Sequence, residues 1–414
     1  MSGARDCAGK PDQRLVLLFA VLYFAEGAPI GLIWWGLPTI LRTAGVEVSS
    51  ISALSASLVL PWTLKFLWAP LVDALRGPRW NRRHWIIAAQ TGMGLALVPL
   101  VFIDPARHYA WWAGLLLVHA FFAATQDVGI DALAVETVPA DSRGWVNGAM
   151  QAGMLLGRSL FGGVSIVVAA RWGFAAVVVP LIAVIWGTLA FVRFSSLVSP
   201  GGGRNAAEDA GQGHARRVLE SLKRMVKRRS TWYGVFFALV GGAGYEAAGG
   251  LAGPYLVDHG VSGDAVGVFF SLPTVAAMLV GGLIGGRVSD RIGRVRSVTV
   301  FLLWTAGCVM ALALLPAGFG AVARFGVLIA LYLGIGLFTA SSYALFMDLS
   351  DPEAGGTQFS AFMAATNACE AWAVWTAGQV VERSGYGPAF GLLASVSAVA
   401  VFVLVPLGRG RARI

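Results

Sequence analysis

The stretch Gly286-Arg287-Val288-Ser289-Asp290-Arg291-Ile292-Gly293-Arg294-Val295-Arg296 separates two apolar runs, about 264–288 and 297–316. Each run approaches or exceeds the roughly 20 residues that a helix needs to cross a bilayer. Four arginines and one aspartate crowd the connection between them. A charged, glycine-bearing connection between two lipid-length runs is the hairpin of a membrane protein. Working outward, the whole chain has the same character. Of its 414 residues, 57% are hydrophobic and 13% charged, and mean hydropathy is +0.71. Soluble domains carry about 25% charged residues. A water-soluble enzyme and a disordered chain are both excluded by this composition.

Windows of spanning length occur at about 14–41, 49–74, 84–103, 110–138, 144–170, 173–194, 231–256, 264–288, 297–316, 322–348, 356–381 and 386–407. The first is too long for a signal-peptide core and no cleavage site follows it, so it reads as a retained span. Twelve spans place 24 of the 31 Lys and Arg on one side and 5 on the other. By the positive-inside rule both termini are cytoplasmic. The basic balance (net charge +9) is thereby explained by loops, with no nucleic-acid partner implied. Three scattered Cys and five scattered His give no disulfide framework and no metal site, and no cofactor is expected.

Residues 196–230 open with Ser199-Pro200-Gly201-Gly202-Gly203 and continue into a basic stretch over 216–225. This is a cytoplasmic linker between two six-span bundles, 1–195 and 231–414. Its basic stretch reads as a solvated segment, with an amphipathic helix on the inner leaflet as the alternative. The two bundles repeat each other. Glu136, Asp141 and Gly144 recur as Asp348, Glu353 and Gly356, 212 residues later. Pro38 with Gly45 corresponds to Pro254 with Gly260.

Two parallel six-span repeats are the mark of the major facilitator architecture. The 286–296 connection resembles the G-x-x-x-D-R-x-G-R loop of those transporters. That resemblance implies an all-α integral membrane fold of twelve helices in two pseudo-symmetric bundles, with the solute held between them. It also implies a gating latch of Gly286, Asp290, Arg291, Gly293 and Arg294, in which Gly286 permits close helix approach. Asp73, Arg82 and Arg83 form a degenerate first-half copy. No Lys is followed by Ser or Thr, so no phosphate-binding loop for ATP exists. Transport must then be facilitated or ion-driven.

Ionisable groups within spans are costly and default to function. They are Glu26, Lys65, Asp127, Asp131, Arg158, Glu246 and Glu370. Asp127 and Asp131 are i, i+4 and share a helix face. Two carboxylates in low dielectric repel, and a shared proton relieves them, which suits proton coupling; static pairing with Lys65 or Arg158 is the alternative. Asn147, Gln151 and Arg158 form one stripe. Arg158 plus 212 is Glu370, so the repeat sets opposite charges at equivalent depths. They are expected to bind a zwitterionic or polar solute, or each other. Trp34 and Trp35 lie near the expected cavity.

Three further elements carry a branch resemblance. Tyr23-Phe24-Ala25-Glu26-Gly27-Ala28-Pro29, Lys65-Phe66-Leu67-Trp68-Ala69-Pro70 and Gln126-Asp127-Val128-Gly129-Ile130-Asp131 resemble the peptide/acetyl-coenzyme A transporter group. That group holds AmpG-type muropeptide permeases, acetyl-coenzyme A transporters and the rhizobactin/pyochelin siderophore permeases. Span 7 reads Gly244-Tyr245-Glu246-Ala247 and lacks the Leu-Gly-Asp of AmpG-type permeases. The end of span 1, Leu37 to Gly45, resembles the siderophore permeases. The resemblance implies a monomeric bacterial inner-membrane permease, with protons and a ferric siderophore such as ferric pyochelin as its expected partners. An anhydromuropeptide permease is the alternative, then an acetyl-coenzyme A-type transporter or a non-transporting sensor.

Overall fold

The computed structural model describes residues 12–75, 80–103, 108–139, 142–195, 227–316, 318–350 and 355–410. Every apolar window falls on helix. In chain order these are α1 (Gln13–Thr43), α2 (Val48–Leu67), α3 (Arg82–Val101), α4 (Tyr109–Thr137), α5 (Trp145–Trp172) and α6 (Ala175–Phe194). There follow α7 (Arg229–Gly250 and, beyond a break at Leu251, Ala252–Asp258), α8 (Gly263–Ile292), α9 (Arg294–Leu314), α10 (Ala321–Leu349), α11 (Gly355–Ser384) and α12 (Tyr386–Gly410). Ten of these are long and apolar enough to cross a membrane alone, and α7 makes an eleventh when its pieces are joined. At 30 residues α11 is long enough but more polar. It carries Thr366, which lines a cavity inside the C-terminal half, and Glu370 and Gln379, which turn toward the N-terminal half.

Helix ends sort into two levels. Arg83 Nη2 donates to the Arg193 carbonyl, so the start of α3 meets the end of α6 at what is here called the basic end. The ends of α1 and α7 meet at the opposite, distal end. Of the sequence expectations, residues 196–226, including the basic stretch 216–225, lie outside the described residues, as do Asp141, Glu353 and the side chain of Asp73.

The pseudo-repeat survives in the contacts. Arg82 Nε pairs with Glu136 Oε1 at 3.1 Å, and Arg294 Nε with Asp348 Oδ2 at 3.6 Å. Both partners are displaced by 212, so each half holds its basic end with the same ion pair. Gly173 and Gly385, also 212 apart, both take positive φ (80° and 83°), a backbone state that side chains resist.

Glycines set the tightest helix pairs, but differently in each half. In the first, α1 meets α5: a Cβ on Gly153 would lie 2.2 Å from the Ala20 carbonyl, and one on Gly31 would lie 2.6 Å from Arg158 Cα. In the second, α8 meets α10: Gly281 faces Leu333 and Gly285 faces Leu337. The expected close approach at Gly286 is therefore corrected. Nothing lies within 4 Å of its Cβ position, because the contact runs through the preceding residue, 100° around the helix.

Local departures from α-helix cluster near the middle. α1 contains a π-turn at Leu32–Gly36 and α5 one at Ser159–Val164, side by side. The first follows Pro29, whose missing N–H loosens the ladder. In α7 the equivalent disruption is an outright break with a 43° bend.

Candidate functional site

The halves meet in the distal and middle levels. Gly253 of α7 abuts Thr39 of α1, and Gly378 of α11 abuts Ser52 of α2. Ser159 Oγ donates to the Ser271 carbonyl, joining α5 to α8. Trp35 stacks on Phe270 at 5.4 Å and meets Tyr332 edge-on at 6.1 Å. At the distal end itself, Arg42 Nε donates to Asp258 Oδ1 at 2.6 Å, and the Tyr386 hydroxyl donates to Asp258 Oδ2 at 2.8 Å. Arg171 and Asp264 add an exposed pair at 3.3 Å. Nearer the basic end, Asn147 and Gln151 on α5 are exposed. This is a molecule sealed distally.

Two groups of ionisable side chains lie below the seal. The first is inside the N-terminal half. Lys65, in a 3-10 turn closing α2, pairs with Asp127 Oδ2 on α4. One turn on, Asp131 Oδ1 accepts from the Tyr23 hydroxyl at 2.6 Å. Glu26 is 4% exposed, and its Oε2 has no hydrogen-bond partner. It feels the charges of Asp127, Asp131 and Lys65. Three carboxylates thus share one ammonium, so the group can accept protons and stay closer to neutral.

The second group spans the halves. Arg158, on the stripe with Asn147 and Gln151, is half-buried with its Nε unpartnered. Its electrostatic neighbours are Tyr343, Glu370, Glu26 and Glu246, from four other helices. The expected direct pair with Glu370 does not form: no ion pair within 4 Å joins them. Instead the guanidinium lies within electrostatic reach of three acids, Glu26, Glu246 and Glu370. Glu370 and Trp34 line an interhalf cavity of about 10 Å³, with Ser55 of α2. Glu246, Tyr245, Thr366 and Cys369 line a second of about 10 Å³. Each has room for about one water.

The two tryptophans part company. Trp34 faces the cavity, with Trp62 edge-on at 5.6 Å. Trp35, 6% exposed, is packing between the halves. Gln126 is fully buried, with both amide atoms unpartnered.

Of the residues expected to form the C-terminal latch, Asp290 and Arg294 come together. Arg294 Nη1 donates to Asp290 Oδ1 at 2.5 Å and to Ser289 Oγ at 3.3 Å, besides reaching Asp348. Gly293, at φ 92°, makes the turn that brings Arg294 back over α8. Arg291 is exposed. Arg82, 4% exposed, also donates to the Val72 carbonyl at 3.1 Å. What residue patterns did not reveal is the distal seal. Arg42 and Asp258 lie four residues after the paired prolines Pro38 and Pro254, and that spacing was the available signal.

The Major Facilitator Superfamily family model matches residues 15–374, and again 247–412. The chain belongs to the major facilitator superfamily. This facilitator is 27% identical over 405 residues to the anhydromuropeptide permease of Escherichia coli K12, covering 94% of this chain and 78% of that protein. It is 23% identical over 300 residues to an AmpG 4 transporter of Rickettsia conorii, covering 70% of each. It superposes on a D-xylose-proton symporter with a TM-score of 0.76, at 13% identity, over 94% of this chain and 96% of that one. The facilitator is therefore a multi-pass membrane transporter of a small-molecule solute, similar in sequence to AmpG-type permeases.

Proposed function

We propose that this facilitator imports an anhydromuropeptide-type solute, a sugar bearing a peptide, across the bacterial inner membrane in exchange for the energy of the proton gradient. What carries the reading is Arg158 facing Glu246 and Glu370 between the halves. A guanidinium opposite carboxylates suits a solute with both acidic and amino groups. The likeness to a permease named for that solute supports it over the ferric siderophore expected from the end of span 1.

In this proposal the bundles 1–195 and 231–414 rock about the site, with the basic end cytoplasmic and the chain working as a monomer. The sealed distal end is then the closed outer side. The Glu26–Lys65–Asp127–Asp131 group takes the proton. Each proton supplies roughly 1.4 kcal/mol per pH unit and about 2.3 kcal/mol per 100 mV.

Uptake into deletion cells complemented with this gene tests the proposal. Radiolabelled anhydromuropeptide should accumulate, and an uncoupler should abolish accumulation. Accumulation of ferric pyochelin instead would restore the siderophore reading. Accumulation of neither, with unchanged protein level, would leave a sensor.

A further inference from the structure

Buried polar atoms normally find partners, and each left without one costs about 1–3 kcal/mol. Among the described residues, nine buried side-chain nitrogens and oxygens make no hydrogen bond, and six belong to four residues of α3 and α4. They are Trp112 Nε1, His119 Nε2 and both amide atoms of Gln90 and Gln126. None of the four is more than 1% exposed. Trp112, His119 and Gln126 are seven residues apart on α4, which returns each to within about 20° of the last. Gln90 lies across from them on α3, near the turn before Gln126, as the contacts of Gly92 with Phe122 and Gly129 with Ile86 fix the register. Trp112 packs on Phe174 at 5.2 Å, and Gly94 abuts Trp186, so the seam runs where α3, α4 and α6 converge. It starts one turn inside the distal end of α4 and ends beside Asp127, where Glu26 Oε2 is also unpartnered.

We propose that this seam holds a file of ordered water and carries protons from the distal face to the Glu26–Asp127 group, apart from the solute's route between the halves. Buried water typically bridges such otherwise unsatisfied groups. His119 supplies the chemistry. Its Nδ1 lies 3.1 Å from the Met93 carbonyl, an acceptor only, so Nδ1 carries hydrogen and Nε2 offers a lone pair. Nε2 takes the excess proton from a hydronium on one side, becoming imidazolium for the moment, and returns it to the next water, which leaves as hydronium and restores the neutral ring. No charged side chain among the described residues acts on this ring. Gln90 and Gln126, each donor and acceptor, pass the hydrogen-bond chain onward. A separate route lets protons reach the acids while the halves are sealed distally by Arg42 and Asp258. The proton-carrying part rests on the coupling proposed above; the water does not.

Radiolytic footprinting in ¹⁸O-water of the full-length transporter in liposomes reads the water directly. Met93, Trp112 and His119 should label about tenfold above the equally buried Tyr332 and Phe346 of the other half. Labelling at the level of those controls overturns the proposal, and no variant is needed for that outcome. Infrared spectroscopy then follows the carboxyl band, absent in Asp127→Asn, after an acid jump on the distal face. Gln90→Leu with His119→Phe should slow its rise about tenfold. A wet seam with an unchanged rise also overturns the proposal. Neither readout uses a solute, so failure of muropeptide uptake leaves both intact.

Discussion

The two halves share a plan and divide the work. Midway along its helices the N-terminal half holds Glu26, Lys65, Asp127, Asp131 and Arg158; the C-terminal half holds Glu246 and Glu370 there, with Arg324 buried near the distal end of α10. The second half is instead packed with rings: Phe237, Tyr245, Phe338 and Phe346 line the cavity beside Glu246, and Phe270 and Tyr332 stand against Trp35. Their tight glycine pairs also differ, α1 with α5 in one and α8 with α10 in the other. The halves agree in the ion pairs of the basic end and differ in the middle. The difference teaches that one half is built for charge chemistry and the other for shape.

Removing charge from the first half should therefore cost most. Arg158→Ala is expected to lower solute uptake by about two orders of magnitude or more, with protein level unchanged, since it leaves the acids facing it without a cation. Near-normal uptake in that variant would break the division. Lys65→Ala should be the next largest, destabilising by about 3–5 kcal/mol through the buried Asp127 charge, with Lys65→Ala/Asp127→Ala partly restored. Thermal unfolding in detergent reads both.

At the distal seal, Arg42→Ala should raise labelling of a cysteine placed in the interhalf cavity, from the distal side, by about 5–10-fold, a loss of about 1–1.4 kcal/mol of closure. The Arg42→Asp/Asp258→Arg exchange should reverse it; no reversal would separate the pair from the seal. At the basic end, Arg82→Ala should destabilise by about 1–3 kcal/mol and Arg294→Ala by less than about 1 kcal/mol, because Arg82 is buried and Arg294 is 26% exposed. Smallest, Gly286→Ala should change stability by under about 0.5 kcal/mol whereas Gly285→Ala is strongly destabilising, because only the latter meets backbone, at 2.5 Å.

Lipid-length runs and the 212-residue repeat were legible in the chain, because both are one-dimensional patterns. So was the pairing of Lys65 with Asp127, one of the alternatives posed by two acids near two bases. Gly285 and Gly286 were indistinguishable, since the choice depends on helix rotation against α10. Trp34 and Trp35 likewise differ only in which side of a π-turn each takes, and a π-turn has no strong residue signature. The seal escaped notice because Arg42 and Asp258 are 216 residues apart and each reads alone as an ordinary helix-end charge. The unanswered atoms of Gln90 and His119 become visible only when every neighbour is known.

The break at Leu251 has a mechanical consequence. The seven residues from Ala252 to Asp258 form a lever about 10 Å long, hinged independently of the rest of α7 and bearing Asp258 at its tip. A short arm needs less displaced packing than a whole bundle, so releasing that carboxylate is expected to open the distal mouth first as a side window beside α7.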